Sequence, residues 1–209
     1  MALPACAKRE DSEGEEGVSA VEDLMREHGI LRRLLIVYRE CAAVLRSGAS
    51  LDAAALAQAS DLFRTFGEDY HERQLEETRI FPALMRAGGE AAGLVDTLIA
   101  QHQRGRAINA FIKERCASGR VADQRPLAAS LDAFARMYEA HAAYEDTIVF
   151  QAWKRRMSAD QLREVGDQFE DIERSTFHGD GFDMALDQVS QIEQRLRLHD
   201  LSRFTAPAP

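Results

Sequence analysis

The feature that most constrains this chain is an internal repeat, because it places histidine and acidic residues at the same relative positions twice. Each copy reads histidine, a short gap, an acidic pair, threonine, two further residues and phenylalanine, and the copies begin at His71 and His141. Each half of the chain also holds an earlier histidine, His28 in the first half and His102 in the second. Such a repeat predicts two related structural units, and here the units carry residue types that bind metals.

Three of these histidines occupy core positions on the apolar faces of predicted helices. Residues three and four apart share one face of a helix. In the first predicted helix that face comprises Val21, Leu24, His28, Leu31, Leu35 and Tyr38. In the fourth it comprises Leu127, Leu131, Phe134, Tyr138, His141, Glu145, Ile148 and Ala152. His102 shares a face of the third helix with Leu98 and Ile112, so polar groups are predicted inside the core.

Start and stop signals divide most of the chain into four long helices. We predict helices from Ser19 to Ser47-Gly48, from Ser50 to Gly88-Gly89, from Glu90 to Ala117, and from Pro126 past Ala152. Short links between long helices favour an all-α fold, an up-down-up-down four-helix bundle. Pro82 lies inside the second helix, which predicts a kink or local break just before it.

The bundle is expected to occupy residues 19–157. Residues 1–18 are polar, acidic and glycine-containing, which predicts a disordered N-terminus. Residues 158–209 are predicted to form an additional C-terminal helical cap, with helices over 159–174 and 182–196 and a proline-containing tail.

Composition limits which binding partners and which cellular compartment we expect for this protein. The net charge of −9 without a basic block argues against nucleic acid as a partner. Three scattered cysteines without a C-x-x-C spacing fit a reducing compartment. The chain lacks an apolar run of the ~18 residues that a membrane span needs, and its N-terminus lacks the apolar core of a secretion signal. We therefore expect a cytoplasmic protein that does not enter a membrane.

The buried polar residues indicate a metal site. An unpaired polar group in a core costs roughly 2 kcal/mol or more, and a single histidine is usually a hydrogen-bonded core residue. Four histidines on four successive helices are harder to explain in that way. Glu145 lies one turn after His141 on the same face, and burying its carboxylate costs several kcal/mol unless a cation compensates the charge. Imidazole and carboxylate ligands suit iron, manganese or zinc, and helical bundles hold two such ions with bridging carboxylates.

Residues 20 to 155 resemble the hemerythrin-like, or HHE cation-binding, proteins. The resemblance rests on a histidine in helix one, a histidine followed by Glu-Glu and Ile-Phe-Pro in helix two, a histidine in helix three, and His-x-x-x-Glu in helix four. It implies two non-haem iron ions, with one carboxylate from helix two and one from helix four bridging them. By position, the implied ligands are His28, His71, Glu76, His102, His141 and Glu145.

The spacing in helix two departs from the family pattern. His71 and Glu76 are five residues apart instead of four, so in a regular α-helix their directions differ by ~140°. A π-bulge would absorb the extra residue and restore a common face. Alternatively, Glu72 joins the site from an undistorted helix. Both interpretations remain open from the sequence.

The number of histidines leaves the function open. Oxygen-carrying members of the family use five histidines, whereas this chain supplies four in the bundle, and Tyr138 is a further candidate ligand. A coordination position would then be free for O₂, NO or peroxide. The first hypothesis is a di-iron protein that binds O₂ or a related small ligand, in oxygen or iron sensing or storage. The alternatives are a di-iron oxidoreductase acting on peroxide or nitric oxide, and a structural bundle with zinc or no metal. The oligomeric state is left open.

Overall fold

The computed structural model describes residues 18–119, 121 and 124–208, and this part of the chain is helical with no strand. In these residues six helices succeed one another: α1 (Ala20–Arg46), α2 (Ala53–Leu62, Phe63–Ile80 and Phe81–Ala87), α3 (Glu90–Cys116), α4 (Gln124–Tyr144, Glu145–Val149 and Phe150–Lys154), α5 (Ala159–Phe177) and α6 (Gly181–Leu196). A 3₁₀ turn, Leu201–Phe204, comes last. The all-α prediction is confirmed. Apart from Val18, the segment predicted to be disordered lies outside the described residues.

Short polar side chains and glycines define the helix ends as the sequence predicts. The Ser19 hydroxyl accepts the Glu22 N–H at the start of α1, and the Asp52 carboxylate accepts two backbone N–H groups at the start of α2. These caps satisfy N–H groups that have no partner inside the helix. After the helix ends, Gly48 and Gly88 have φ of 74° and 70°, which glycine adopts without strain.

A π-helical segment occupies the middle of α2. From Phe63 to Ile80 the helix is π-type, and the Phe81 N–H donates to the Glu76 carbonyl five residues earlier. Residues five apart therefore stand on a common face, which brings His71 and Glu76 together. The predicted π-type distortion is confirmed, although it extends much further than a single bulge. Helical structure also continues through Pro82, so the predicted local break is absent and the hydrogen bonding changes from π to α there.

A second π segment, Glu145–Val149, lies at the equivalent place in α4, and the sequence analysis missed it. Its Phe150 N–H donates to the Glu145 carbonyl, again five residues back. The extra residue in this turn rotates the later residues of α4, so Val149 and Trp153 are buried whereas Ile148 and Ala152 are only half-buried. Beyond Glu145 the centre of the apolar face is therefore displaced by one residue from the prediction, which assumed a regular α-helix, while Ile148 and Ala152 still pack against the edge of the core.

A cluster of aromatic rings packs between the long helices. α1 packs against α4, α2 against α3, and α3 against α4. Between them the Phe63 ring meets Phe134 at 4.7 Å and Tyr138 at 5.0 Å, while Tyr38 packs on Phe134 at 5.2 Å between ring centroids. This cluster adjoins the buried histidines, since the centroid of the Tyr138 ring is 5.3 Å from that of His141. No helix in the described ranges is long and apolar enough to cross a membrane.

The C-terminal helices pack against α1 and α2. α6 contacts both helices, and α5 contacts α1 and the π segment of α2. Two ionic links attach α6, from Arg33 to Glu193 and from Arg195 to Asp52. The predicted helices over 159–174 and 182–196 are confirmed, each slightly longer than expected.

Deletion of Gln74 tests the role of the π segment. We expect the variant to fold, because losing one residue turns the five-residue spacing of His71 and Glu76 into the four-residue spacing of an α-helix. The Gln74 amide also donates to Thr176 in α5 at 3.2 Å, so a modest loss of stability is expected. Thermal unfolding followed by circular dichroism should show a midpoint temperature lowered by less than about 10 °C.

The matched control deletes Ile36, an exposed residue within the regular helix α1. This deletion rotates all later residues of α1 by ~100° and should abolish the cooperative transition. If deletion of Gln74 unfolds the protein as completely as deletion of Ile36 does, the π segment does not accommodate the extra residue between His71 and Glu76.

Candidate metal centre

Four buried histidines, one from each long helix, form two pairs in the core. The Nε2 atoms of His28 and His71 are 3.0 Å apart, and those of His102 and His141 are 3.1 Å apart. The first pair joins α1 to α2 and the second joins α3 to α4. Each pair therefore belongs to one half of the sequence repeat.

Two glutamates lie between the pairs and connect them. One carboxylate oxygen of Glu76 is 3.3 Å from the Nε2 of His71, and the other is 3.3 Å from that of His102. A single oxygen of Glu145 is 2.9 Å from the Nε2 of His141 and 3.5 Å from that of His28. Both carboxylates are fully buried. Each glutamate thus touches one histidine of each pair.

The donor set fits a pair of cations. Apart from the imidazole nitrogens that face them, no group in the described part of the chain donates a hydrogen bond to the four oxygens of Glu76 and Glu145. Two carboxylates buried in this way cost several kcal/mol each unless a cation compensates them. The spacings agree with this: ligand atoms about 2.1 Å from an octahedral ion are about 3.0 Å from their neighbours, close to the distances observed here.

Each histidine donates a hydrogen bond from its Nδ1 atom, on the side of the ring that points away from the centre of the site. The acceptors are Asp146 at 2.7 Å for His28, Glu27 for His71, Glu77 at 2.8 Å for His102, and Gln101 at 2.9 Å for His141. An Nδ1 that donates leaves the Nε2 lone pair directed at the centre of the site, which is the tautomer a metal requires. Three acceptors are carboxylates and one is a neutral amide.

The sequence analysis missed Glu27, Gln101 and Asp146 as functional residues, although it contained a signal for two of them. Glu27 and Gln101 immediately precede His28 and His102. Glu27 accepts the hydrogen bond of His71, and Gln101 accepts that of His141. Each dipeptide therefore supplies one histidine of a pair and the hydrogen-bond acceptor of the other histidine. Asp146 follows Glu145 in the acidic pair of the repeat, and Glu77 follows Glu76. The acidic pairs therefore place one carboxylate inside the site and one behind a histidine.

Glu72 and Tyr138, the two further candidates from the sequence, bond to each other beside the site. The Tyr138 hydroxyl donates to one Glu72 oxygen at 2.6 Å, and Arg106 donates to the other at 3.0 Å. The nearest approach of Glu72 to a histidine is 3.9 Å, to the Nδ1 of His102. Gly105 makes room for the phenol, because a Cβ at that position would lie 2.1 Å from the hydroxyl oxygen. Both Glu72 oxygens have protein donors other than imidazoles, unlike those of Glu76 and Glu145.

Phenylalanines of the repeat shield the histidines from solvent. Phe150 in the second copy stacks on His28 with 5.4 Å between centroids, and Phe81 in the first copy stacks on His102 at 5.7 Å. Each phenylalanine thus covers a histidine of the opposite half. The two halves interlock, and neither half forms the site alone.

Burial and neighbouring charges shift the pKa values of the ligand-type residues in different directions. Burial opposes the charged form of His102, but the neighbouring carboxylates outweigh it and raise its pKa to about 10. Burial likewise opposes a charged His71, yet Glu76 holds its pKa well above the usual value. For His141, burial and the nearby His102 lower the pKa to about 4. Burial, reinforced by Glu76, raises the pKa of Glu145 well above the ordinary range. Without a cation, the site therefore holds protons on some of these groups.

Comparison with known proteins agrees with this geometry. Residues 19–153 match the model of the hemerythrin HHE cation-binding domain. Two uncharacterised proteins, from Mycobacterium tuberculosis and Mycobacterium bovis, are each 41% identical to the chain over 196 residues, which is 92% of this chain and 76% of theirs. No solved structure matches the chain. All the histidines and glutamates of the site lie in the matched segment, and the chain belongs to the hemerythrin HHE cation-binding domain family.

Proposed function

We propose that the site holds two iron ions, one at each histidine pair, with Glu76 and Glu145 bridging them. The ligands would be His28, His71, Glu76, His102, His141 and Glu145. The observation that carries the proposal is the set of four buried carboxylate oxygens without protein donors other than the imidazoles, placed between two pairs of inward-facing Nε2 atoms. We further propose that residues 19–157 form the up-down-up-down bundle around the ions, with residues 158–209 as an extension packed on it.

The proposed function is binding of O₂ or a related small ligand, in oxygen or iron sensing or storage. Iron suits a site of imidazole and carboxylate ligands, and when bound it supplies reversible binding of such ligands and a change of oxidation state. Each ion would be held by two imidazoles and the two shared carboxylates, and it would supply a position for an external ligand. The residues of the chain hold the histidine tautomers, exclude bulk water and position the carboxylates.

The second candidate is an oxidoreductase acting on peroxide or nitric oxide, and one feature favours it. A cavity of about 10 Å³, roughly the size of one water molecule, lies against His28, His71 and His141. Glu72 and Tyr138 line it, so hydroxyl and carboxylate groups stand beside the proposed centre. Turnover of peroxide or NO by the purified protein would favour the enzyme, and stoichiometric binding alone would favour the binding protein. A protein that purifies with zinc or without metal would support the structural alternative.

Carboxylate substitutions test the ligand assignment. We expect Glu76→Gln and Glu145→Gln to lose most of the about two irons per chain, because an amide cannot bridge two cations as a carboxylate does. Glu72→Gln is the matched control, since its side chain is equally buried and lies on the same helix as Glu76. It should retain its iron, as measured by elemental analysis of folded protein.

The opposite pattern would contradict the assignment. Loss of iron from Glu72→Gln with retention in Glu76→Gln would place Glu72 in the site instead. Full occupancy in Glu145→Gln would contradict bridging by that residue.

Metal binding should release protons at neutral pH. In the metal-free protein the neighbouring carboxylates outweigh burial, raise the pKa of His102 to about 10 and hold that of His71 above its usual value, and burial raises that of Glu145. Ligands must lose their protons to coordinate a metal. We expect a positive number of protons to be released per chain on loading, so the affinity for metal rises as pH rises and metal is lost on acidification. Calorimetry in buffers of different ionisation enthalpy measures this number. Loading without proton release would show that these groups are not the ligands.

A further inference from the structure

The acceptors of the four Nδ1–H groups are not all of the same kind, and two of them match across the two histidine pairs. In each pair, one histidine donates to a carboxylate that an arginine also contacts. These matched couples are Asp146–Arg32, which accepts from His28, and Glu77–Arg106, which accepts from His102. Because each pair contains one such couple, the couples make the two pairs similar as electron donors.

The other two acceptors differ in charge. Glu27, which accepts from His71, is a carboxylate that is only 1% exposed. The hydroxyl of Tyr70 donates to its second oxygen at 3.0 Å, and this neutral donor leaves the negative charge of Glu27 in place. Gln101 accepts from His141 at 2.9 Å through a neutral amide. The first pair therefore donates both of its Nδ1 protons to carboxylates, whereas the second pair donates only one.

The remaining acidic residues near the site do not remove this difference. Glu72 comes within 3.9 Å of the Nδ1 of His102. Its oxygens accept hydrogen bonds from a phenol and a guanidinium, however, and not from an imidazole. The first pair has acidic neighbours of its own, since oxygens of Asp23 and Glu173 lie within 4.8 Å of an oxygen of Glu27. The contrast between a carboxylate and an amide as direct acceptors therefore remains.

The acceptor of an Nδ1–H group changes how strongly the imidazole donates electrons to a metal. A carboxylate draws the ring proton further away than an amide does, so the ring becomes the more basic ligand. A more basic ligand stabilises the higher charge of ferric iron and lowers the reduction potential of the ion. The charge of Glu27 acts strongly because water does not screen it in the core. Iron held by the first pair should therefore be harder to reduce than iron held by the second pair.

We propose that Glu27 and Gln101 are positioning residues that give the two metal positions different reduction potentials, so that the first electron goes to the iron held by His102 and His141. The electron comes from an external one-electron reductant, and one ferric ion becomes ferrous without the making or breaking of a covalent bond. The inference rests on the proposed two-iron function and deepens it, because it assigns the two oxidation states of the half-reduced centre to two defined positions.

Exchanging the two acceptors tests the proposal without a change in side-chain length. Gln101→Glu gives the second pair a second carboxylate acceptor, so we expect the midpoint potential of the first one-electron step to fall. The expected shift is at least about 59 mV, which is a tenfold change in the one-electron equilibrium, with a smaller shift of the second step. Glu27→Gln should raise the second step by a similar amount and move the first step less. Redox titration followed by Mössbauer spectroscopy measures both steps at known iron content.

The matched control is Gln103→Glu, because Gln103 is an exposed residue of α3 two positions from Gln101. It adds the same charge to the same helix from the solvent side and should leave both steps in place. A shift as large as that of Gln101→Glu would show that overall charge, and not the hydrogen bond to the histidine, sets the potentials. That result would overturn the proposal, as would equal shifts of both steps in Gln101→Glu and in Glu27→Gln.

Crystals reduced by one electron per chain locate the ferrous ion directly, because ferrous iron absorbs X-rays at a lower edge energy than ferric iron. In the wild-type protein the lower edge should belong to the ion between His102 and His141. In the double variant Glu27→Gln/Gln101→Glu it should belong to the ion between His28 and His71. Ferrous iron at the first pair in the wild-type protein, or an unchanged position in the double variant, would overturn the proposal.

The outcomes separate this inference from the proposed function. Two irons per chain, with potentials that ignore the acceptor substitutions, would leave the two-iron centre standing and overturn the inference. A chain that purifies without iron would overturn the proposed function and the inference together. If one substitution releases iron, the other substitution and the wild-type crystals decide the outcome.

Discussion

The structure depends on the burial of two carboxylates that, among the described residues, face no lysine or arginine and make polar contacts only with the histidines of the site. Glu76 and Glu145 lie at the centre of the helices with four oxygens that, apart from the imidazole nitrogens facing them, accept no hydrogen bond in the described part of the chain. Such burial costs several kcal/mol for each charge. Both glutamates also stand in π-helical segments, which are rare and concentrate at functional sites. A bound pair of cations would compensate the free-energy cost of this burial. The need to direct both carboxylates at the cations would also explain why the helices are distorted at these positions.

The second constraint is mutual dependence between the two halves of the repeat. Each histidine pair comes from one half, whereas the glutamates and the stacking phenylalanines reach across to the other. The C-terminal helices add support from outside the segment that matches the family. Phe177 of α5 packs on Tyr70 at 5.2 Å, and the Tyr70 hydroxyl donates at 3.0 Å to Glu27, the acceptor behind His71. The extension thereby helps to hold one histidine in place.

Much of this arrangement could be predicted from the sequence, because helix caps and apolar periodicity act locally. The structure brings together the six residues named as implied ligands, and the odd spacing of His71 and Glu76 indicated a π-bulge as one of two interpretations. The π segment at Glu145 could not be found in the same way, because His141 and Glu145 keep the ordinary four-residue spacing and the distortion begins only at Glu145. The acceptors behind the histidines depend on contacts between helices, which periodicity within one helix does not encode. Glu72 illustrates the limit: its pairing with Tyr138 and Arg106 comes from three different helices.

Anomalous diffraction at the iron absorption edge tests the central claim most directly. We predict two peaks in crystals of the protein purified without chelator. One would lie between His28 and His71, the other between His102 and His141, and both would contact Glu76 and Glu145. A single peak, two peaks that share no carboxylate, or iron bound to Glu72 in place of Glu76 would contradict the account.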